Sequence, residues 1–282
     1  MAITTTADLN SLFNLIYEEA LFVAREANIM TNLVRNFTAR GFMARKISQR
    51  PQVTAQTKAE GVDFSNPTSF GRNLLATLTP AVVMAQVILT DEDRDTDPDQ
   101  AQTDASQELG NSVATKIDTD LVTDFASFTT DKGTGAGASA TIASAAAAVS
   151  VLRFNKAPNP INAVWHTYHW HDLWIELGQP AATKAFLGDI ANQALRDFYV
   201  GNWINVQHFI SANIAIDAST DAVSGIFQEQ ALGFDVRQEP EMEPERDASK
   251  KVTELNMSAA YAHGVIRDTF GVKYTADATT PT

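Results

Sequence analysis

The sequence predicts an α+β protein, and three patterns carry that expectation. An apolar stripe of Ala105, Leu109, Val113, Ile117, Leu121, Phe125 and Phe128 recurs at helical spacing through residues 98–128. Before it, a long polar and basic segment, RGFMARKISQRPQVTAQTKAEG, leaves at Arg40 and returns as the apolar run LLATLTPAVVMAQVILTDED. The remaining helix and strand signals are mixed, without the regular alternation of a βαβ protein.

In chain order, residues 8–27 read as an amphipathic helix. Leu9, Leu12, Phe13, Ile16, Ala20, Val23, Ala24 and Ala27 form one stripe, and Thr6 or Asp8 can cap its start. A shorter apolar stretch follows at 29–37, and both read as an N-terminal arm. Residues 40–90 read as an extended hairpin. In its return arm Val82, Met84, Gln86 and Ile88 alternate with Val83, Ala85, Val87 and Leu89, so both faces are mostly apolar and both are expected to be covered. The outgoing arm is more polar, and Pro51 suits an edge strand. The tip, 61–71, carries Gly, Asn and Pro and reads as a loop. One copy of the chain can hardly bury so long a hairpin, so its cover is expected to come from outside.

The long helix has Thr96 or Asp97 as N-cap, Pro98 in the first helical position and Asp99 at the positive end of the dipole. About 30 residues would span roughly 45 Å. Gly110 interrupts it, and DKGTGAG at 131–137 ends it and reads as a flexible linker. Residues 139–152 form an Ala-rich helix candidate, 161–170 a strand rich in aromatics, and 181–198 another helix. Residues 200–216 read as one or two strands and 225–238 as a further strand region. The segment 238–244, with two prolines and three glutamates, reads as a turn or loop, and 255–274 closes the chain with strands around Gly264 and Gly271.

The chain has 282 residues and a formal net charge of −13, which disfavours general binding to phosphate backbones. It has no cysteine, so disulfides and thiolate metal sites are excluded. No secretory signal opens it, and its longest strongly apolar run, 81–89, falls short of the ~20 residues that span a bilayer. A soluble chain without a membrane partner is expected. The charge is unevenly placed. Residues 40–72 hold Arg40, Arg45, Lys46, Arg50, Lys58 and Arg72 against Glu60 and Asp63, a net of +4. Residues 91–108 hold Asp91, Glu92, Asp93, Asp95, Asp97, Asp99, Asp104 and Glu108 against Arg94, a net of −7.

Three groups of residues invite a chemical reading. On a strand, His169 and His171 would share a face and could share a metal, with Asp172 close by. The alternative is histidines packed among Trp165, Tyr168, Trp170 and Trp174. Glu241 and Glu243 could serve as an acid/base pair, or lie solvated in a proline-flanked loop. The basic arm could contact nucleic acid, or an acidic surface on another copy of the chain. Its sparse aromatics and the acidic remainder favour the second. No nucleotide or nucleophile-elbow motif occurs, and no residue pattern calls for a cofactor.

The order of elements, with Ala59-Glu60-Gly61 near the loop tip, Gly225-Ile226-Phe227 followed by Ala231-Leu232, and the ending AYAHGVIRDTFGVKY with Tyr261 and Gly264, resembles the tailed-bacteriophage major capsid proteins of Hong Kong 97-like fold. The resemblance covers nearly the whole chain. It implies an N-terminal arm (1–39), an extended β-hairpin loop and its base (40–90), a peripheral domain with a spine helix (91–160), a mainly axial domain (161–250) and C-terminal strands returning to the peripheral domain (251–282). It implies a structural protein, not an enzyme. Such a protein self-assembles as hexamers and pentamers into an icosahedral virion shell around double-stranded DNA, held without sequence-specific binding. It is assembled in the host cytoplasm. The further partners implied are a portal, a scaffold and in some members a decoration protein. Because the chain starts at Met1, a separate scaffold protein is expected. Some members cross-link a loop lysine to a neighbour's asparagine, but Lys46 and Lys58 have no motif-matched partner, and cross-linking is not expected.

Intersubunit contact is expected from Arg40, Arg45, Lys46, Arg50, Lys58, Glu60 and Arg72 of the loop, and from Asp91, Asp93, Asp95, Asp97 and Asp99 of the acidic block that follows. An encapsulin-type nanocompartment shell is the alternative with the same fold. A metal-dependent enzyme using His169 and His171 is the alternative from a different class.

Overall fold

The apolar stripe is the wall against which the rest is built. The computed structural model describes residues 28–64, 69–96, 101–178 and 202–281. The expected helices at 8–27 and 181–198, the N-cap region at 97–100 and part of the loop tip lie outside the described residues. Helix α1 (Asp91–Thr96) precedes α2 (Ala101–Thr123), and a 3-10 turn, Asp124–Ser127, follows. Every member of the stripe from Ala105 to Phe128 is buried. Helical structure thus begins at Asp91, ahead of the expected N-cap, because the acids Asp91 and Glu92 already suit a helix start. It also stops short of the expected end, so α2 spans about 34 Å. Thr115, Thr119 and Thr123 turn their hydroxyls back onto carbonyls one turn earlier, each at 2.8 Å.

A four-stranded sheet in the order β1-β9-β10-β4 lies against α2. Its strands are β1 (Arg35–Thr38), β4 (Ala81–Thr90), β9 (Leu232–Asp247) and β10 (Val252–Val265). The apolar return run is therefore β4, paired antiparallel with β10 from Ala81↔Tyr261 to Thr90↔Val252 rather than with the outgoing arm. The hairpin proper is β2 (Arg45–Gln49) with β3 (Asn73–Leu78). The expected turn at 238–244 is likewise strand. Pro240 and Pro244 are tolerated because β1 pairs only with Gly233 to Val236, leaving the side of β9 away from β10 unpaired beyond Val236 among the described residues.

The N-terminal segment is docked by a buried carboxylate. Asp118 on α2 accepts from the backbone N–H of Ile29 (3.1 Å) and Met30 (3.0 Å), and its other oxygen accepts from the Asn213 amide at 2.8 Å. Met30, Leu33 and Val34 are buried beside it. Replacing Asp118 by Ala strands these donors. It is expected to destabilise the protein by about 2 kcal/mol, with amide exchange at 29–34 rising by more than tenfold; unchanged exchange there would refute the clasp.

The second sheet runs β11-β8-β5-β7-β6, with β5 (Ile161–His166), β6 (Asn202–Trp203), β7 (Val206–Ser211), β8 (Asp221–Gln228) and β11 (Gly271–Asp277). Helix α3 (Ile142–Phe154), capped by the Thr141 hydroxyl, and α4 (Thr167–Gly178) pack on it. β5 is buried throughout and ends at His166, so the expected strand over 161–170 is half strand and half helix. The end of the spine meets this sheet at Gly271, where an added Cβ would lie 2.0 Å from the Phe128 ring. The segment 131–137, read as a flexible linker, is pinned to β11 and β8. Lys132 N–H donates to Lys273 O, Gly135 N–H to Thr275 O and Gly137 N–H to the Asp221 carboxylate. The two sheets draw on distant stretches: β10 lies beside the spine, whereas β11 joins the other sheet.

Candidate functional site

The four-stranded sheet has one closed face and one open face. On the closed face Leu89 and Leu255 pack with Ala105 and Leu109 of α2, and Ala85, Val87 and Met257 border them. On the open face the register aligns Glu245, Glu254 and Ile88 in one row, Glu243, Asn256 and Gln86 in the next, and Glu241, Ser258 and Met84 in a third. This face is acidic along β9 and apolar along β4, with Val82, Met84 and Ile88 exposed to 57%, 59% and 53%. Gln86 donates to Glu254 at 3.0 Å across its middle. The expectation that both faces of β4 are covered is corrected: within one copy only one is. Val82, Met84 and Ile88 thus line one exposed face of an edge strand, interrupted by Gln86.

The hairpin carries exposed apolar groups as well, including Phe42, Met43, Val53 and Leu74. Its charges divide into two sets. Arg40, Lys46, Lys58, Glu60 and Arg72 are exposed. Arg45 is already engaged within its own chain: Nε donates to Asp235 Oδ2 at 2.8 Å and Nη2 to Oδ1 at 3.1 Å, and the guanidinium lies over the Phe37 ring. Arg50 stacks on Phe70 and donates to its carbonyl. Asp91 accepts both guanidinium nitrogens of Arg246 at 2.7 Å. Asp95 is exposed, Asp93 lies in α1, and Asp97 and Asp99 fall outside the described residues. Arg45 and Asp91 thus each have an ion-pair partner within their own chain. The sequence reading missed Glu241, Glu243 and Glu245 as a surface, because prolines among them signal a turn.

The histidines are structural. On helix α4, positions two apart are rotated by about 200°, so His169 and His171 do not share a face. His169 is fully buried, and Nε2 donates to the Ala276 carbonyl at 3.1 Å while Nδ1 accepts from the Ser224 hydroxyl at 2.8 Å. That serine-histidine contact is sealed from solvent on both sides, so no substrate can reach it. Burial holds the His169 pKa below its ordinary value, and burial together with neighbouring His169 pushes His166 down to about 4. His171 lies 3.7 Å from Asp172 on the partly exposed side of the helix. No group of three or more His, Cys, Asp or Glu that could hold a metal occurs among the described residues. Glu241 and Glu243 sit exposed on strand β9, where the sequence suggested a loop.

No protein-family model and no curated protein matches the sequence. Solved structures match over almost the whole chain. A chain of Mycobacterium phage Che8 superposes with a TM-score of 0.70 at 18% identity, over 91% of this chain and 94% of that one. The capsid structure of the cyanophage P-SCSP1u gives 0.73 at 14% identity, over 90% of each chain. The capsid of an empty GTA particle gives 0.70 at 10% identity, over 98% of this chain and 100% of that one. The fold is the α+β fold of these chains.

Proposed function

We propose that this chain is the major capsid protein of a tailed phage, a structural protein that self-associates as hexamers and pentamers into an icosahedral head shell around double-stranded DNA. The observation that carries the reading is the end-to-end structural likeness to capsid chains, which leaves almost no part of either chain unmatched. The open apolar edge of β4 and the long hairpin support it, since both present surface that a single copy leaves in water. The exposed loop charges Arg40, Lys46, Lys58 and Arg72 would lie over acids of a neighbouring copy, Asp95 and the Glu241–Glu243–Glu245 row among them. With a net charge of −13, the shell would enclose DNA without gripping it. A portal, a scaffold and, as in some such shells, a decoration protein are the partners such a shell would recruit, and the virion, assembled in the host cytoplasm, is its place. The arm, loop, peripheral and axial divisions expected from the sequence belong to this reading.

Electron microscopy of the purified protein tests it: closed shells of one size are expected, and dispersed monomers would refute it. Nuclease-resistant DNA inside shells from infected cells separates a phage head from a nanocompartment holding a cargo enzyme. The double variant Met84→Glu, Ile88→Glu is expected to leave the melting of the free subunit within about 0.5 kcal/mol and to cut shell yield at least tenfold. Normal shell yield from this variant would remove the open face from the interface.

A further inference from the structure

A cleft of about 650 Å³ opens where the hairpin leaves the body, between the loop base, the end of α3 and the 3-10 turn Asp268–Phe270. Its floor is apolar, from Leu75, Ile266 and Phe270, and its wall is basic, from Lys156 and Arg267. Arg267 is held in place, its guanidinium 4.6 Å over the Phe270 ring and one nitrogen donating to Gln49 at 2.8 Å. Neither Lys156 nor Arg267 forms an ion pair with a described carboxylate. The lining carboxylate, Asp268, is taken by the Thr129 N–H at 2.8 Å. The cleft therefore presents two cations over an apolar floor.

The loop tip has the converse character. A turn closes at Ala59–Val62, with Val62 N–H on the Ala59 carbonyl and Gly61 at φ +73°, a conformation that favours glycine. The turn displays Glu60 and Asp63 beside Val62 and Phe64, all exposed. Nothing in the described chain comes within 4 Å of a Cβ built on Gly61. The lengths agree too. Asn256, opposite Glu243, lies ten residues before Ile266, roughly 34 Å along an extended strand. Arg50 lies ten residues before Glu60, roughly 33 Å of extended chain. A loop whose basic limb crosses the glutamate row thus brings its acidic tip to the far end of β10.

We propose that the acidic-apolar tip, residues 60–64, seats in this cleft on a second copy of the chain, so that each loop ends where the next loop begins. The inference rests on the shell reading and names the seat of the loop within it. Such a contact is heterologous, and it closes into rings when the rotation between copies permits. Charge order along the loop, basic limb then acidic tip, sets its direction.

The chain has no cysteine, so introduced thiols report without background. The double variant Asp63→Cys, Lys156→Cys, assembled and then oxidised, is expected to give a ladder of covalent multimers on a non-reducing gel. The two single variants and the pair Asp63→Cys, Glu243→Cys should give none. Shells that form yet stay unlinked overturn the proposal while leaving the shell reading intact. Should the double variant fail to assemble, carbodiimide treatment of wild-type shells decides: a cross-linked peptide joining Lys156 to Glu60 or Asp63 supports the seat, and its absence overturns it. Wild-type protein that forms no shells removes the reading on which both stand.

Discussion

Lowering the pH from 7 to 4 is expected to remove about 3 kcal/mol of folding stability through His208 alone, with His166 and His169 adding to the loss. His208 is buried between Trp203, stacked at 4.6 Å, and Trp165, at 6.1 Å. Its Nδ1 accepts from the Trp165 indole at 2.8 Å and its Nε2 donates to the Trp203 carbonyl, so both ring nitrogens are committed in the neutral form. Burial pushes its pKa down to about 4, against the weaker upward pull of that carbonyl. Between pH 6.5 and 4 the unfolded chain thus binds a proton that the folded chain refuses. Stability is fully present above pH 6.5 and falls as the pH drops through 4. Urea unfolding followed by tryptophan fluorescence measures it. His208→Gln keeps an acceptor for Trp165 but cannot titrate, so its loss between pH 7 and 4 should be smaller by about 3 kcal/mol. Equal losses for wild type and variant would dismiss the argument.

His263 works with the opposite sign. Its Nδ1 meets Asp124 at 2.9 Å, and that hydrogen bond raises its pKa against desolvation, with help from Asp124 and Asp120 and opposition from Lys116. Its stabilisation is fully present below the ordinary pKa of about 6.5 and is lost as pH rises through the raised value. The junction of β10 with the end of the spine therefore holds in mild acid, where the aromatic core of the second sheet begins to weaken.

The long helix was legible because seven apolar residues keep one period, and burial follows period wherever the face is continuous. The sheet partner of β4 was not. Two apolar faces suggest that both are buried but not by what, and within the chain one of them stays exposed. Residues 161–170 misled because aromatic enrichment suits a strand, while Thr167 starts a helix with no proline or glycine to mark the change. That one misreading put His169 and His171 on a shared face, where the helix turns them apart. Prolines hid the edge strand at 238–247 in the same way. The pairing of Arg45 with Asp235 spans 190 residues and leaves no local pattern at all.

Replacing Asp235 by Ala is expected to destabilise the subunit by about 3–5 kcal/mol and to unfasten the loop at its root. Asp235 is fully buried on β9, opposite Phe37 of β1 and Ala262 of β10. Two arginines converge on it: Arg45 at 2.8 and 3.1 Å and Arg237 at 2.6 Å. The same guanidinium groups reach the chain that starts the loop, Arg45 to the Thr38 carbonyl and Arg237 to the Gly41 carbonyl. One carboxylate thus orients two cations, and the cations fix the turn from which the hairpin departs. Without it Arg237, whose side chain is 5% exposed, keeps its charge with no counter-ion, which is the costly case. Asp235→Asn keeps the shape and an acceptor but drops the charge, so its loss should be smaller. Denaturation gives the energies, and amide exchange at β2 and β3 gives the position, with protection expected to fall more than tenfold in the Ala variant. If stability falls but exchange at β2 and β3 does not change, Asp235 holds the sheet and not the loop. Any drop in shell yield in Asp235→Ala would then follow from the weakened subunit rather than from a hairpin that has lost its aim.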